Sequence, residues 1–241
     1  MPNHIQNILT ITADSKEELQ IFLSSIKSED KGYIRHIDFN RIIPMPTEIR
    51  ETECSSTSEL GIFYYLYKTD QLELVPTILR YCSLTPEYFA TNTPEELNNL
   101  YEQGERYVGY YKQFGAKDWY DWSNANWGTK WNAYETDCCL SLDETSATIR
   151  FQTAWNGVLT LIGKLTEMFP NLTFNYAYAD EDMGYNCGTG WGQDGEYSYE
   201  YLKGGSEEAM QTFALCWDYD FDNFYQDDEG HWHNREWDEE E

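Results

Sequence analysis

The chain has 241 residues, 41% hydrophobic and 17% aromatic, with 43 acidic against 16 basic side chains and a formal net charge of −27. That length suffices for one large domain or two small ones, and for a sizeable core. The charge disfavours direct contact with nucleic-acid phosphates and with anionic membranes, which both call for Lys and Arg; basic proteins or cations suit it better, beside the plainer reading that acidity maintains solubility.

Residues 4–13 read as a strand, with Ile5, Asn7, Leu9 and Ile11 on one face. Asp14 or Ser15 then caps a helix whose first turn holds Glu17 and Glu18. Leu19, Phe22, Leu23 and Ile26 form its apolar stripe. Ile34 to Ile43 is predicted to be a second strand, stopped by Pro44 and Pro46. This β-α-β opening is half of a ferredoxin-like unit. Residues 59–124 are predicted to be a helical insertion. It contains SELGIFYYLYK, then QLELVPTILRYC with a kink or boundary at Pro76, then Thr-Pro-Glu helix starts at 85 and 93. Its many tyrosines fit either a core or a partner-binding face.

The stretch from Trp119 to Trp155 holds five of the nine tryptophans. Dense aromatic clusters are core where a helix meets a sheet, or a platform for a ligand. The platform residues would be Trp127, Lys130, Trp131, Asn132 and Trp155, with Lys130 laid over a ring. No nucleophile–base pair accompanies them, so no catalytic residue is assigned.

Residues 131–142 and 145–155 are predicted to form a hairpin turning at Asp143-Glu144. Asn156 is expected to cap a helix over 157–169 with Val158, Leu161, Ile162, Leu165 and Phe169 buried. Residues 172–180 read as a strand, and GTGWGQDG (188–195) as a hairpin loop. That loop lacks the Gly-Lys-Ser/Thr ending of a phosphate cradle. Further strands are expected at 196–204 and 209–217. From Trp217 the chain becomes an acidic, aromatic tail over 218–241, either free or docking on a basic partner. Asp218, Asp220, Asp222, Asp227, Asp228 and Glu229 would make that contact.

Metal sites are not indicated. Asp180, Glu181 and Asp182 lack the spacing of a calcium loop, and His231-Trp232-His233 sits in a tail with no closed geometry. The six cysteines (54, 82, 138, 139, 187, 216) show neither zinc spacing nor a disulfide framework. No apolar run approaches the roughly 20 residues of a membrane span, and no signal peptide is read. A reduced, cytoplasmic chain without a cofactor is expected.

Several ordered motifs carry a resemblance. PNHIQNILTI and DFNRIIPMP open the chain; NWGTKWNAY, FQTAW, KLTEMFPNLTF and YADEDMGYNCG follow. Together they resemble the Api92-like family, also called the YubB family, of phage and plasmid proteins. The family's Ser-Pro-Pro after TAW is here Asn156-Gly157-Val158. The resemblance implies a ferredoxin-like domain and a mobile-element setting, and no activity or catalytic residues.

The expected fold is α+β: a ferredoxin-like antiparallel sheet with helices on one face, formed by residues 1–217 with the insertion at 59–124. The expected function is non-enzymatic. The chain would bind a basic host protein, itself nucleic-acid-binding, by acidic complementarity, as a DNA mimic or anti-defence factor. The alternative is an enzyme or small-ligand binder using the tryptophan-rich cleft.

Overall fold

The structure is a computed structural model that describes residues 2–79 and 82–235. It divides into two compact units, Met1–Pro44 with Asn126–Glu241, and Met45–Ala125. The strands are β1 (His4–Thr12), β2 (Ser28–Asp30), β3 (Tyr33–Arg35), β4 (Tyr134–Leu140), β5 (Ser146–Ala154), β6 (Thr173–Asp180), β7 (Cys187–Gln193), β8 (Glu196–Tyr201), β9 (Phe224–Gln226) and β10 (Trp232–Asn234). The helices are α1 (Lys16–Ile26), α2 (Phe39–Ile42), α3 (Thr47–Arg50), α4 (Ser56–Lys68), α5 (Val75–Ile78), α6 (Pro94–Phe114), α7 (Trp119–Asn126), α8 (Leu159–Met168) and α9 (Glu207–Trp217).

An antiparallel sheet in the order β4-β5-β1-β6-β7-β8 forms the body of the first unit, so the α+β reading holds. In β1, Ile5, Asn7, Leu9 and Ile11 are all fully buried on one face. Strand pairing sets Phe174, Tyr176 and Tyr178 opposite Ile11, Leu9 and Asn7. Asn7 sits in that apolar stripe because its polar atoms are satisfied. Its amide donates to Phe151 O at 3.2 Å and Thr153 Oγ1 at 2.9 Å, and its Oδ1 accepts from Tyr176 Oη at 2.5 Å. Tyr176 Oη in turn accepts from the amide of Val158, the N-cap of α8.

Helices α1 and α8 cover this face. Phe22 meets Phe174 edge-on at 5.6 Å, and Thr166 lies against Gly192. The expectation of helices on one face only is corrected by residues 209–217, predicted to be a strand. They belong to α9, which packs Ala209, Met210, Phe213 and Cys216 against Ile8, Ala179 and Cys187 on the opposite face. Ser206 caps α9 by accepting from Ala209 N, and Glu207 and Glu208 fill its first turn. That local capping signal outweighs the apolar run.

Three further expectations are corrected. Residues 34–43 hold only the end of a short strand, because Asp38 caps α2 and directs Phe39 and Ile42 into the core. Asn156 does not cap α8: its carbonyl accepts from Thr153 Oγ1, and the helix starts later. Residues 188–193 are strand β7, not loop. The glycines at 188, 190 and 192 are there because large side chains lie over them. A Cβ at each would stand 2.5, 2.2 and 2.5 Å from Tyr178, Tyr197 and Thr166. Only Asp194-Gly195 turns, with both residues at positive φ, the geometry of a type I′ hairpin.

Residues 218–235 are not a loose tail. Phe224 is 6% exposed against Phe213, β9 pairs with β10, and Trp232 Nε1 donates to Gly205 O at 2.9 Å. The interleaved aromatics supply burial that a bare polyacid lacks. Residues 236–241 of the predicted tail, and Arg80 and Tyr81 of the predicted QLELVPTILRYC helix, lie outside the described residues.

The second unit is helical among its described residues. Ile62, Leu66, Ile78, Phe89, Tyr107 and Val108 form its core. Thr93 and Glu96 form a reciprocal capping box at the start of α6, as the Thr-Pro-Glu motif predicts. The same motif at 85 starts only a 3-10 turn, Pro86–Phe89.

Gly188→Ala is expected to destabilise the protein by about 1–3 kcal/mol in urea unfolding, because its methyl group overpacks the Tyr178 ring. A loss below about 0.5 kcal/mol would show that Tyr178 moves aside freely.

Candidate functional site

One end of the sheet gathers the predicted platform. His4 and Ala154 face each other where β1 begins and β5 ends, and Ile5 faces Asp180 at the end of β6. Thr129 ties the tryptophan-rich segment to this end. Its Oγ1 donates to Ala154 O at 2.8 Å and accepts from Ala154 N at 3.1 Å.

The five platform residues separate by role. Trp127 is 4% exposed, its indole N–H donates to Ile43 O at 2.9 Å, and its ring meets Phe39 edge-on at 5.8 Å. It is core, as a buried tryptophan with its N–H satisfied usually is. Asn132 is a brace: Oδ1 accepts from Phe39 N at 2.9 Å, and Nδ2 donates to Asp38 Oδ1 at 2.7 Å. Burial acts to raise the Asp38 carboxyl, but hydrogen bonds, that of Asn132 foremost, hold it below the usual range.

Lys130, Trp131 and Trp155 remain together at the surface. Lys130 Nζ lies 4.7 Å from the Trp131 ring centroid and 5.2 Å from that of Trp155. The lysine thus occupies the space between two rings where a cationic ligand would sit. Trp131 is 38% exposed, so of the two readings of the cluster the core one does not extend to it. Trp155 has φ +72°, a left-handed backbone uncommon for so bulky a residue. Two hydrogen bonds fix it there: its N–H donates to Asn3 O, and its carbonyl accepts from Asn186 Nδ2 at 2.8 Å.

Asn186 also donates to Asp180 Oδ2 at 2.8 Å, while Asp180 Oδ1 accepts from Asn3 Nδ2 at 3.0 Å and from Asp182 N at 3.1 Å. The 5%-exposed Asp180 carboxylate is therefore consumed by amide donors. Among the described residues no group of three or more His, Cys, Asp or Glu is placed to hold a metal. Trp217 Nε1 donates to Asp180 O at 3.0 Å, which joins this end of the sheet to the acidic segment.

The sequence gives no sign that His4 and Tyr134 meet. Tyr134 Oη lies 2.8 Å from His4 Nδ1 and 3.1 Å from Thr153 O. Burial, then the charges of Glu181 and Glu135, pushes the Tyr134 phenol up to about 12. No sequence spacing links positions 4, 134 and 153; only strand register does.

The predicted acidic contacts lie elsewhere, on the ordered C-terminal segment. Asp218, Asp220, Asp222, Asp228 and Glu229 are exposed. Asp218 ends α9 in a left-handed conformation with its side chain 92% exposed, 3.9 Å from Arg150. Asp227 differs: it accepts from the backbone amides of His231 and Glu229 and pairs with His233 Nε2 at 3.0 Å. These bonds, the His231 amide first, hold its carboxyl well below the usual range. It pins the β9–β10 turn.

Residues 126–225 match a family model described as the ferredoxin-like domain in Api92-like protein. The crystal structure of a protein api92 from Yersinia pseudotuberculosis is similar to this chain at 11% sequence identity, covers 86% of this chain and 100% of that one, and has a TM-score of 0.37. No curated protein matches the chain. The resemblance to the Api92-like family read from the sequence holds, and the matched ferredoxin-like domain lies in the sheet-bearing unit.

Trp127→Ala should cost about 3–5 kcal/mol in urea unfolding, and Trp131→Ala only about 1 kcal/mol, that of an exposed cation–π contact. Equal losses would refute the division between core and surface. The Tyr134 phenol should ionise late. A wild-type-minus-Tyr134→Phe difference titration of phenolate absorbance should stay flat through about pH 10, where a free tyrosine ionises, and rise only toward pH 12. Because the folded value is raised, the stability linked to this proton is present below pH 10 and lost as pH climbs toward 12. A midpoint near pH 10 would contradict the buried environment.

Proposed function

We propose that this protein is a non-enzymatic binding module for a basic protein. The observation that carries the reading is the presentation of Asp218, Asp220, Asp222, Asp228 and Glu229 on an ordered, exposed segment. Phe224 and Trp232 anchor that segment, and the whole chain carries −27. A fixed acidic surface attracts a cationic partner and avoids much of the ordering cost that a free tail meets on binding. The ligand-binding alternative loses support from the geometry, since Trp127 is core and Lys130 fills the space between the exposed Trp131 and the half-buried Trp155.

The family resemblance supplies the setting. The resemblance implies a mobile-element setting, in which the basic partner would be a host protein met in the cytoplasm, itself nucleic-acid-binding. The acidic surface would then stand in for DNA, as an anti-defence factor does. Among the described residues no helix is long and apolar enough to cross a membrane.

Neutralising the exposed acids as Asp218→Asn, Asp220→Asn, Asp222→Asn, Asp228→Asn and Glu229→Gln should leave the fold intact. It should slow association with a basic protein, measured by stopped flow, more than it speeds dissociation. Wild-type affinity should fall steeply with salt, because the Debye length is already only about 8 Å at physiological ionic strength. Removing everything after Trp217 is not an equivalent experiment, because Phe224 and Trp232 leave with the acids. Association indifferent to both salt and neutralisation would sink the reading.

A further inference from the structure

The two edges of the sheet are treated differently. At the β4 edge, pairing with β5 is broken by a bulge between Tyr134 and Asp137, with Glu135 at φ +46°. Thr136 Oγ1 there accepts from His36 N at 3.0 Å, and Arg35 Nε donates to Ala133 O at 2.8 Å. A bulge and side-chain cover are means by which proteins blunt an edge against further pairing.

Among the described residues, the β8 edge has neither. Glu196–Tyr201, EYSYEY, is a regular six-residue strand without Pro or Lys. It pairs in unbroken register with β7 alone and ends the strand order. The two-residue turn at Asp194-Gly195 fixes which backbone groups point outward. Gln193 and Glu196 flank that turn and form a hydrogen-bonded pair, so Trp191–Ser198 and Thr189–Glu200 do as well. Leu202 N donating to Cys187 O at 3.0 Å continues the same alternation. The N–H and C=O groups of Tyr197, Tyr199 and Tyr201 therefore face away from the sheet.

The side chains along this edge also alternate. Tyr199 is 54% exposed and Tyr201 67% exposed on one face. Glu196, Ser198 and Glu200 are exposed on the other, beside Trp191, which is 47% exposed opposite Ser198. An extended segment laid along β8 would set its own alternate residues against glutamates and an open indole on one face, and against tyrosine rings on the other. Cationic side chains fit the first face through charge and cation–π contact, and apolar ones fit the second. A second copy of this chain fits poorly, because pairing two β8 strands brings together four glutamates of two chains that each carry −27.

We propose that β8 is a docking edge that captures an extended, basic segment of a partner protein by strand addition, with alternating cationic and apolar residues. The inference rests on the reading of the protein as a binder of basic partners and adds to the C-terminal acids a second surface for such a partner.

The test uses the full chain and a short synthetic peptide alternating Lys and Val. Hydrogen exchange at the Tyr197, Tyr199 and Tyr201 amides, followed by NMR, should slow when the peptide is added. The same peptide N-methylated on alternate residues keeps its charge but cannot complete the ladder, and should bind roughly tenfold weaker or worse. Tyr199→Pro removes an outward N–H and leaves pairing with β7, and Glu196→Lys with Glu200→Lys reverses the charge; each should weaken binding by a similar factor. Equal affinity for the two peptides, with those amides unprotected, overturns strand addition while the acidic reading stands. Absence of peptide binding at low salt, or slow exchange of these amides through self-association of the free protein, overturns the proposal too. Failure of the acidic reading would show separately, as salt-independent association with an intact basic protein.

Discussion

The amide of Asn7 is the polar fixture on which the sheet-bearing unit depends. It lies fully buried at the centre of β1, bonded to β5 through Phe151 and Thr153 and to β6 through Tyr176. A hydrophobic stripe by itself tolerates alternative packings, but a buried amide does not, because each unmet polar group costs about 1–3 kcal/mol. A one-residue slip of β1 would turn Asn7 to the other face and strand Tyr176 Oη. Asn7 thus adds a polar constraint on register, on both sides of β1, to that of the buried Ile5, Leu9 and Ile11. The Tyr176 hydroxyl extends the constraint to the N-terminus of α8 by accepting from Val158.

The same arrangement accounts for the glycines of β7. Tyr178 and Tyr197 are wide rings lying over a strand, so the positions beneath them have no room for a Cβ. Gly157, between β5 and α8, obeys the rule as well: a Cβ there would stand 2.5 Å from the Tyr178 ring. This gives a physical reason for the glycine in the Asn-Gly-Val that follows FQTAW in this chain. Burial also raises the Tyr176 phenol far above its ordinary value, which keeps its proton available to Asn7 Oδ1.

Much of this architecture was legible in the sequence, and the failures have particular causes. Alternation in residues 4–12 and 146–154, and the helical stripe at Leu161, Ile162 and Leu165, declare themselves through burial period alone. Residues 209–217 misled because ALCW is apolar enough for a strand, while the deciding signal, Ser206 with Glu207 and Glu208, lay just upstream. The glycines at 188, 190 and 192 suggested a loop because their reasons for being there, Tyr178 and Tyr197 on the neighbouring strands and Thr166 on α8, lie elsewhere in the sequence. The candidate site was legible only as composition. That Lys130 closes the gap between Trp131 and Trp155, that Asp180 is consumed by Asn3 and Asn186, and that β8 is an edge all follow from strand order. No local pattern encodes it.

The acidic segment shows how order can be kept against like-charge repulsion. Fixing a backbone residue costs about 1–2 kcal/mol, and burying one large apolar side chain returns about 1.5–3 kcal/mol. Phe224 and Trp232 supply such burial, with Trp232 also hydrogen-bonded to Gly205. Asp227 adds three contacts at the turn by accepting from two backbone amides and pairing with His233. Against this stand the exposed acids 218, 220, 222, 228 and 229, whose mutual repulsion grows as salt is lowered. Order here therefore rests on two aromatic anchors and one pinned turn, set against a repulsion that salt screens.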